Sequence, residues 1–305
     1  MNKKCSFCDK SAVYFRQYSG EKLCKKCFCS SIVEKTRKTI SKYNMLKYGD
    51  KIAIAVSGGK DSLSLLSVLK EICTPHSADL HAIMIDEGIK DYRDEAIDLT
   101  KDVVKKYNIP LSIVSYKELY DTTLDHALNW KNKRNISSCA ICGPFRRRAI
   151  DVAAKKIGAT VIATGHNLDD YLQTYLINIC NGDLDKITWL NPKNMYNDNI
   201  RRVKPFLEIS EHEITLYAYF SKLPFQTSTC PYMNEGIRSQ ISEFVKNLEQ
   251  QHPGIQYSML KSAISMSQNM PATSKIRLSC KKCGNISSSE ICSVCNTLNL
   301  IKINK

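Results

Sequence analysis

The stretch IAIAVSGGKDSLSLL, residues 52–66, decides the fold class of this chain. A run of small apolar residues ends at Ser57, two glycines follow, and apolar residues resume at Leu63. This is the pattern of a strand, a glycine turn and the start of a helix. Such a turn holds phosphate on backbone N–H groups. Because its spacing differs from the common nucleotide-hydrolase loop, G-x-x-x-x-G-K-[ST], it predicts a phosphate site of another kind.

Strand-like segments alternate with helix-like segments along the middle of the chain. The alternation predicts an α/β fold with a doubly wound parallel sheet. Ligands of such sheets bind at the carboxyl ends of the strands, so the loops 57–62, 86–88 and 165–170 should meet there. The predicted strands cover 51–56, 80–86, 111–116 and 160–165, and the predicted helices cover 62–73, 91–107 and 146–159.

The positive charge of the chain is concentrated at its two ends. The formal net charge is +14; residues 1–47 carry twelve Lys and Arg against three acids, and residues 271–305 carry six against one. These basic ends predict a polyanionic partner. There is no run of about 18 uncharged apolar residues and no N-terminal signal segment, so we expect a cytoplasmic protein without a membrane partner.

Two sets of cysteines at the ends have the C-x2-C…C-x2-C spacing of four-thiolate zinc sites. They predict two structural Zn²⁺ modules, because four thiolates leave no open position for catalysis. We therefore expect an N-terminal zinc finger with a linker helix at 1–47, a catalytic domain at 48–270 and a C-terminal zinc ribbon at 271–305. The two sets are Cys5, Cys8, Cys24 and Cys27, and Cys280, Cys283, Cys292 and Cys295.

A third set of cysteines contains only one C-x2-C pair. Cys139 and Cys142 lie in SSCAICG, and Cys230 stands alone about 90 residues later. Three converging thiolates could hold an iron–sulfur cluster with one iron left open for a substrate atom. Two alternatives stay open at this point: a redox pair that carries a persulfide, and a zinc site completed by a histidine.

The glycine loop resembles the pyrophosphate loop (PP-loop) of the N-type ATP pyrophosphatases. These enzymes split ATP between the α- and β-phosphates and adenylate a substrate. The resemblance implies that ATP and Mg²⁺ are bound, with Lys60 and Asp61 taking part in catalysis. The implied ATP-binding residues are Ser57, Gly58, Gly59, Lys60, Asp61, Ser62, Asp86, Gly165, His166 and Asp170.

Over essentially its full length the chain resembles the tRNA 2-thiouridine synthetases of archaeal and eukaryotic cytosolic type. The motifs in order are SGGKDS, IDEGI, CAICG, TGHNLDD, CPY and HPG, with cysteine sets at both ends. This resemblance implies ATP-dependent replacement of the C2 oxygen of a tRNA uridine by sulfur, with the wobble position favoured. Related cytidine 2-thiolases lack the flanking zinc fingers.

The family resemblance also implies how the sulfur is handled. A 4Fe-4S cluster on Cys139, Cys142 and Cys230 would hold the sulfur, which comes from sulfide or from a ubiquitin-like sulfur-carrier protein. Relatives often form homodimers. Some bacterial relatives have a lysine where this chain has Arg146, and arginine cannot carry a proton at ordinary pH. If a base is needed, Asp169 or Asp170 is the candidate, although helix capping or Mg²⁺ binding would explain both.

A basic stretch surrounds the third cysteine set. No acidic residue occurs from 127 to 150, and Trp130 could stack on a base. We expect this stretch to contact tRNA, with a solvated helix face as the alternative. Rival functions are thiolation through a cysteine persulfide, another adenylating PP-loop enzyme, and a nucleic-acid-binding subunit with a relic loop. The expected tRNA contacts are Trp130, Lys131, Lys133, Arg134, Arg146, Arg147 and Arg148.

Overall fold

The computed structural model describes most of the chain. In the described part, no helix combines the length and the apolar character that are needed to span a bilayer. The described residues are 4–76, 78–129, 137–193, 196–197, 200–232, 237–270, 278–287 and 289–303.

Ten strands occur in the described residues, six of them in one central sheet. The predicted strands of the sheet are confirmed to within a residue at each end, because their β-branched and apolar runs are flanked by turn residues. The strands are β1 (Tyr14–Arg16), β2 (Glu21–Leu23), β3 (Lys51–Val56), β4 (Asp79–Asp86), β5 (Leu111–Ser115), β6 (Val161–Thr164), β7 (Tyr196–Asn197), β8 (Ile200–Val203), β9 (Leu278–Ser279) and β10 (Ile286–Ser287).

The helices begin and end where capping residues allow. Asn167 and Asp170 form a capping box at the start of one helix, and Asn108 ends another with a φ of 52°. The described residues contain α1 (Lys25–Lys42), α2 (Lys60–Cys73), α3 (Arg93–Tyr107), α4 (Tyr116–Tyr120), α5 (Leu124–Asn129), α6 (Ser138–Lys156), α7 (Leu168–Cys180), α8 (Leu184–Thr188), α9 (Glu211–Phe220), α10 (Arg238–Gln251), α11 (Ile255–Asn269), α12 (Ser293–Ile303) and a 3₁₀ turn (Thr74–His76).

One helix begins earlier than predicted. The sequence pattern predicts a helix over 146–159, whereas α6 begins at Ser138 and includes the Cys139–Cys142 pair. Gly143 and Pro144 suggest a break in the sequence, but Pro144 lies inside the helix, where it supplies no N–H for a helical hydrogen bond. Ser137 caps the helix by accepting a hydrogen bond from the Ala140 N–H. The cysteine pair is therefore helical.

The central sheet has the strand order β5-β4-β3-β6-β8-β7. The first five strands are parallel, as predicted, and the short edge strand β7 pairs antiparallel with β8. The chain runs outward from β3 in one direction through β4 and β5, and in the other through β6 and β8. The crevice between the carboxyl ends of β3 and β6 is thus the topological switch point, where ligands of such sheets bind.

The two terminal modules pack on opposite parts of this domain. Leu23, Phe28 and Ile32 are fully buried in the hydrophobic cluster that contains β3 and α2. At the other end, Val294 and Cys295 lie in a second cluster with Phe145 of α6. Because both modules share a core with the sheet domain, the predicted boundaries at 47 and 270 separate segments that are packed together.

Candidate active site

The glycine loop, residues 57–62, connects β3 directly to α2. Gly58 has a φ of +82°, and a Cβ atom there would lie 2.6 Å from Cβ of Ala96, so only glycine fits. The Ser62 hydroxyl accepts a hydrogen bond from the Ser57 N–H at 3.0 Å and donates to the Gly59 carbonyl at 3.0 Å. Gly59 is the N-cap of α2, so the first N–H groups of a 14-residue helix point into the loop.

Lys60 and Asp61 form an ion pair. The Lys60 ammonium lies 2.9 Å from Oδ2 of Asp61 and 3.0 Å from Oε1 of Glu211. Although burial opposes ionisation of Glu211, Lys60 and Lys246 together lower its pKa. Asp61 also accepts a hydrogen bond from the Asn167 side chain at 3.3 Å. Lys60 is thus held at the loop by acids that a bound phosphate would displace, and Asp61 is an oxygen ligand available to Mg²⁺.

The three predicted loops do meet at the carboxyl edge of the sheet. A Cβ atom on Gly165, which follows β6, would lie 3.0 Å from the Asp61 carbonyl. Asp86, at the end of β4, accepts a hydrogen bond from the Gly88 N–H at 2.8 Å and closes the second loop. Arg93 donates from this second region to the Ser57 carbonyl at 3.0 Å. Adjacent parallel strands place these loops side by side.

His166 lies among cations in the third loop. Its Nδ1 is 2.8 Å from the Thr164 hydroxyl. The surrounding protein, together with Lys204, Arg238, Arg202 and Arg146, lowers the pKa of His166 to about 3. Because His166 is exposed, the nearby cations rather than burial are the better supported cause of this lowered pKa, and they lie beside the crevice.

The two carboxylates of TGHNLDD have different surroundings. Asp169 is buried, and its oxygens accept from the Glu211 N–H at 2.7 Å and the Gln256 side chain at 3.0 Å. Asp169 therefore orients α9 and α11, and its role as a catalytic residue stays a prediction. One oxygen of Asp170 accepts from the Asn167 N–H at 3.1 Å, and the other has no hydrogen-bond partner among the described residues. Burial raises the pKa of Asp170, which suits a proton acceptor better.

Cys142 lies at the inner end of the third cysteine set. The Tyr116 hydroxyl is 3.7 Å from its sulfur, and Arg146 donates to the same sulfur at 3.4 Å. Burial raises the pKa of the Cys142 thiol; Arg146 opposes the rise, whereas Glu87 and Cys230 add to it. Cys139 is exposed one helical turn away. The sequence thus brings two of its three predicted thiols to one place through α6.

Cys230 approaches the same region from another segment. It packs against the hydrophobic cluster that contains Cys142 and Phe145. Four residues before it, the Gln226 N–H donates to the Gly58 carbonyl at 3.0 Å, and the Gln226 side chain donates to the Tyr92 carbonyl. The segment that carries Cys230 is therefore bonded directly to the glycine loop.

The three thiols of the third set do not form a compact site for one ion. In the part of the chain that the structure describes, three or more ligand atoms converge within 4.8 Å only in the two terminal cysteine sets. The described residues thus supply no histidine that completes a compact single-zinc site with this trio. A cluster on these three thiols stays a prediction.

The terminal cysteine sets have the geometry of single-metal sites. The sulfur of Cys8 lies 3.6 Å from that of Cys24 and 3.7 Å from that of Cys27, and Cys283 lies 3.7 Å from Cys292. Tetrahedral Zn–S bonds of about 2.3 Å place thiolates about 3.8 Å apart. Backbone N–H donors lower the pKa of Cys5 and of Cys280 to about 6, whereas neighbouring thiols raise the pKa of Cys27 and burial raises the pKa of Cys295, each to about 12. All eight predicted ligands are brought together in two groups of four.

The predicted tRNA contacts divide into two groups. Trp130, Lys131, Lys133 and Arg134 lie outside the described residues. Arg146 and Arg148 have partners within the protein, Arg147 is exposed, and a contact of these three arginines with tRNA stays a prediction. Arg146 contacts Glu87 and Cys142, and Arg148 donates to the Cys295 sulfur at 3.5 Å.

Several charged residues of the site were not predicted from the sequence. Glu87 lies inside the quoted IDEGI motif, yet only its neighbour Asp86 was chosen. Lys204 follows β8 just as Gly165 follows β6, so the rule of strand ends would have found it. Its ammonium has no ion pair or hydrogen bond with the described residues and lies 5.9 Å from the Tyr171 ring centre. Arg93, Glu211 and Arg238 have no signal in a single sequence, because their partners are distant.

One cavity of the described structure lies away from the thiols. It has a volume of about 590 Å³ and lies between the N-terminal hairpin, the start of α9, and α10 and α11. Asp169 and Glu211 form part of its wall, whereas the three thiols do not line it.

Two protein-family profiles match the chain. A family profile described as "PP-loop domain" matches residues 30–249. A second profile, described as "2-thiouridine synthetase TtuA, N-terminal LIM domain", matches residues 4–29. The first match begins inside α1 and includes the glycine loop and all three thiols of the third set.

Individual proteins are similar over nearly the whole chain. "Cytoplasmic tRNA 2-thiolation protein 1" of Laccaria bicolor is 36% identical over 96% of this chain and 84% of its own length. The protein of the same name from Oryza sativa subsp. japonica is 37% identical, with coverages of 95% and 81%. A solved structure described as the U34-tRNA thiolase NcsA from Methanococcus maripaludis with its [4Fe-4S] cluster superposes with a TM-score of 0.85 and 33% identity, over 96% of this chain and 95% of that one.

Proposed function

The chain belongs to the PP-loop tRNA 2-thiolation family, and from this premise we propose that it replaces the C2 oxygen of a tRNA uridine by sulfur, with consumption of ATP, in the cytoplasm. The wobble uridine is the proposed target, because the similar archaeal protein is described as a U34-tRNA thiolase. The observation that carries the proposal is a contact: the segment of Cys230 is hydrogen-bonded to Gly58, so the sulfur site and the nucleotide loop adjoin.

The first proposed step is adenylation. ATP lies along the glycine loop, its phosphates on the N–H groups at the start of α2 and on Lys60, with Mg²⁺ on Asp61. The C2 oxygen of the uridine attacks the α-phosphorus and the bond to the β-phosphate breaks, so pyrophosphate leaves. The C2 oxygen, otherwise a poor leaving group, is now part of AMP. Asp170 accepts the proton from the uridine N3, because its free oxygen lies at the same edge of the sheet.

The second proposed step is sulfur transfer. A [4Fe-4S] cluster on Cys139, Cys142 and Cys230 would supply an open iron that holds sulfide next to the adenylated uridine. Sulfide attacks C2, the C2–O bond breaks and AMP leaves, with no change in net oxidation state. The protein contributes orientation: α6 presents two thiols, and the Gln226–Gly58 bond fixes the third relative to the loop.

Substrate binding draws on the cations around His166. Lys204, Arg202 and Arg238 lie close enough to His166 to lower its pKa, although burial lowers the pKa of Lys204 itself and Arg202 is ion-paired with Asp151. The Lys204 ammonium is free to meet a phosphate within the described structure, whereas Arg238 also donates to Gln173 at 3.1 Å. Cations of this kind bind the backbone of a nucleic acid without reading its sequence. They support tRNA as the substrate independently of the undescribed stretch 130–136.

The decisive experiment measures metals and product together. The chain is purified without oxygen, its iron, acid-labile sulfide and zinc are counted, and thiolation of tRNA and release of pyrophosphate are followed with ATP and sulfide or a ubiquitin-like sulfur carrier. About four irons per chain, four being the cubane count, and two zincs are expected. Cys142→Ala should abolish thiolation, and the control Cys180→Ala, an exposed cysteine at the end of α7, should leave it unchanged.

Two results would reject the proposal. Full thiolation by Cys139→Ala and Cys142→Ala would remove the three-thiol site from the chemistry. Full thiolation by protein that contains zinc but no iron would favour persulfide chemistry instead.

A further inference from the structure

Three charged side chains connect the glycine loop with the sulfur site. Nε of Arg93 lies 2.7 Å from Oε2 of Glu87, and Nε of Arg146 lies 2.7 Å from Oε1 of the same carboxylate. Arg93 continues to the Ser57 carbonyl, and Arg146 continues to the sulfur of Cys142 at 3.4 Å. Two arginines are thus ion-paired with one glutamate between the nucleotide loop and the thiol. Oε2 of Glu87 accepts no hydrogen bond from the described residues, because the Arg93 Nε–H donates to the Ile85 carbonyl at 3.0 Å.

We propose that Glu87 is a positioning residue that holds the guanidinium of Arg146 against the Cys142 sulfur and ties this contact to the nucleotide loop through Arg93. The inference rests on the proposed function, because it treats Cys142 as a ligand of the sulfur-holding group. It assigns Arg146 a fixed electrostatic role in place of proton transfer, which a guanidinium cannot perform.

The structure indicates why Glu87 has this role. Its side chain is 1% exposed, whereas that of Arg146 is 46% exposed. The glutamate backbone is itself fixed, because its carbonyl accepts from the Leu124 N–H at 2.7 Å. An arginine that is half in solvent would otherwise move among rotamers, and losing that freedom has an entropic cost. The buried carboxylate thus provides the rigid end of the contact.

A fixed N–H donor at a ligating sulfur changes the metal group that the sulfur holds. Hydrogen bonds and positive charge at cluster sulfurs raise the reduction potential, and groups that orient ligands affect metal affinity. Glu87 alone has the opposite electrostatic effect, since its negative charge disfavours an added electron. The two residues can therefore be separated by the direction in which each changes the potential.

The test is a double-mutant cycle on the cluster-loaded protein, with the reduction potential of the cluster as the measurement. Glu87→Gln, Arg146→Gln and the double variant are compared with the unmodified chain. Arg146→Gln should lower the potential. If Glu87 acts through Arg146, Glu87→Gln should shift the reduction potential further downward in the unmodified chain than in the Arg146→Gln background. We expect the two shifts to differ by at least about threefold in the reduction equilibrium constant, which is about 28 mV for one electron.

A matched control separates positioning from general damage. Glu213 is also buried between two cations, Arg16 at 2.8 Å and Lys35 at 2.8 Å, but it lies under the N-terminal module. Glu213→Gln should therefore destabilise the protein as Glu87→Gln does, yet leave the potential unchanged. Equal shifts of Glu87→Gln in both backgrounds, or an unchanged potential in Arg146→Gln, would overturn the proposal.

Two further measurements keep the proposal testable. If Glu87→Gln does not fold, Arg146→Lys replaces it: one ammonium cannot reproduce separate contacts to Glu87 and Cys142, so an unchanged potential would count against us. If the chain binds no cluster, the proposed function fails. The Glu87–Arg146 contact is then tested in metal-free protein by measuring hydrogen exchange at the Arg146 Nε–H resonance. Slow exchange that is lost in Glu87→Gln but kept in Glu213→Gln supports the positioning role of Glu87. Fast exchange in the unmodified chain refutes it.

Discussion

Replacing Gly58 by alanine should disable the nucleotide loop while leaving the fold in place. Two costs arise in this structure. The backbone has a φ of +82°, where an L-residue costs about 1–2 kcal/mol. The new Cβ atom would also lie 2.6 Å from Cβ of Ala96, 2.8 Å from its Cα and 2.9 Å from its carbonyl oxygen. Two of these atoms belong to the backbone of α3, so the clash is not relieved by rotating a side chain. Overpacking therefore adds about 1–3 kcal/mol to the loss of folding free energy.

The clash also sets the expected loss of activity. Carbon atoms in contact stand about 3.5–4.0 Å apart, so the loop must retreat from α3 by about 1 Å. A displacement of that size in a group that positions a substrate costs about 100-fold in rate. We therefore expect the rate of pyrophosphate release with ATP and tRNA to fall about 100-fold. We also expect ATP to bind more weakly, which calorimetry can measure.

A glycine elsewhere in the chain provides the control. Gly49 has a φ of +79°, but a Cβ atom there would meet nothing within 4 Å. Gly49→Ala therefore has the same conformational cost without the clash. In urea unfolding the Gly58 variant should be less stable than the Gly49 variant by about 1–3 kcal/mol. Equal stabilities of the two variants, together with normal ATP binding by Gly58→Ala, would refute the steric reasoning.

Three other outcomes are expected. Glu213→Gln leaves Arg16 and Lys35 without their buried partner and should cost about 3–5 kcal/mol in urea unfolding. Asp98→Asn, at the exposed Lys101 pair, should cost under about 1 kcal/mol, and equal losses would contradict the ranking. Because burial raises the pKa of Asp170, thiolation should rise with pH through a value above that of an ordinary aspartate. Asp170→Asn should be slow at every pH, and an unchanged acid limb in a pH–rate profile would exclude Asp170 as the base. Cys8→Ser should lower the zinc content from two ions to one per chain and leave the C-terminal site filled, as zinc analysis can check; loss of both ions would show that the sites are interdependent.

Much of the fold and of the site follows from local sequence. The strands, the helix starts and the two cysteine sets obey short-range rules, since side-chain periodicity, capping and C-x2-C spacing involve residues only a few positions apart. The start of α6 was missed because Gly143 and Pro144 resemble a break, although a helix that packs its apolar side on the sheet can accommodate both. The glycine loop was predicted correctly because Gly58 and Gly59 are needed by the local backbone, whatever lies around them.

The partners of charged groups were decided by the tertiary structure alone. Asp169 and Asp170 are neighbours in the chain, but one orients two helices and the other keeps an oxygen free, because successive residues of a helix point in different directions. Likewise Arg146 is one of three consecutive arginines, and only the fold shows that it meets Glu87, 59 positions away in the chain. The sequence by itself determined which chemistry the chain carries; packing of distant segments at one edge of the sheet determined which of its side chains are free to perform it.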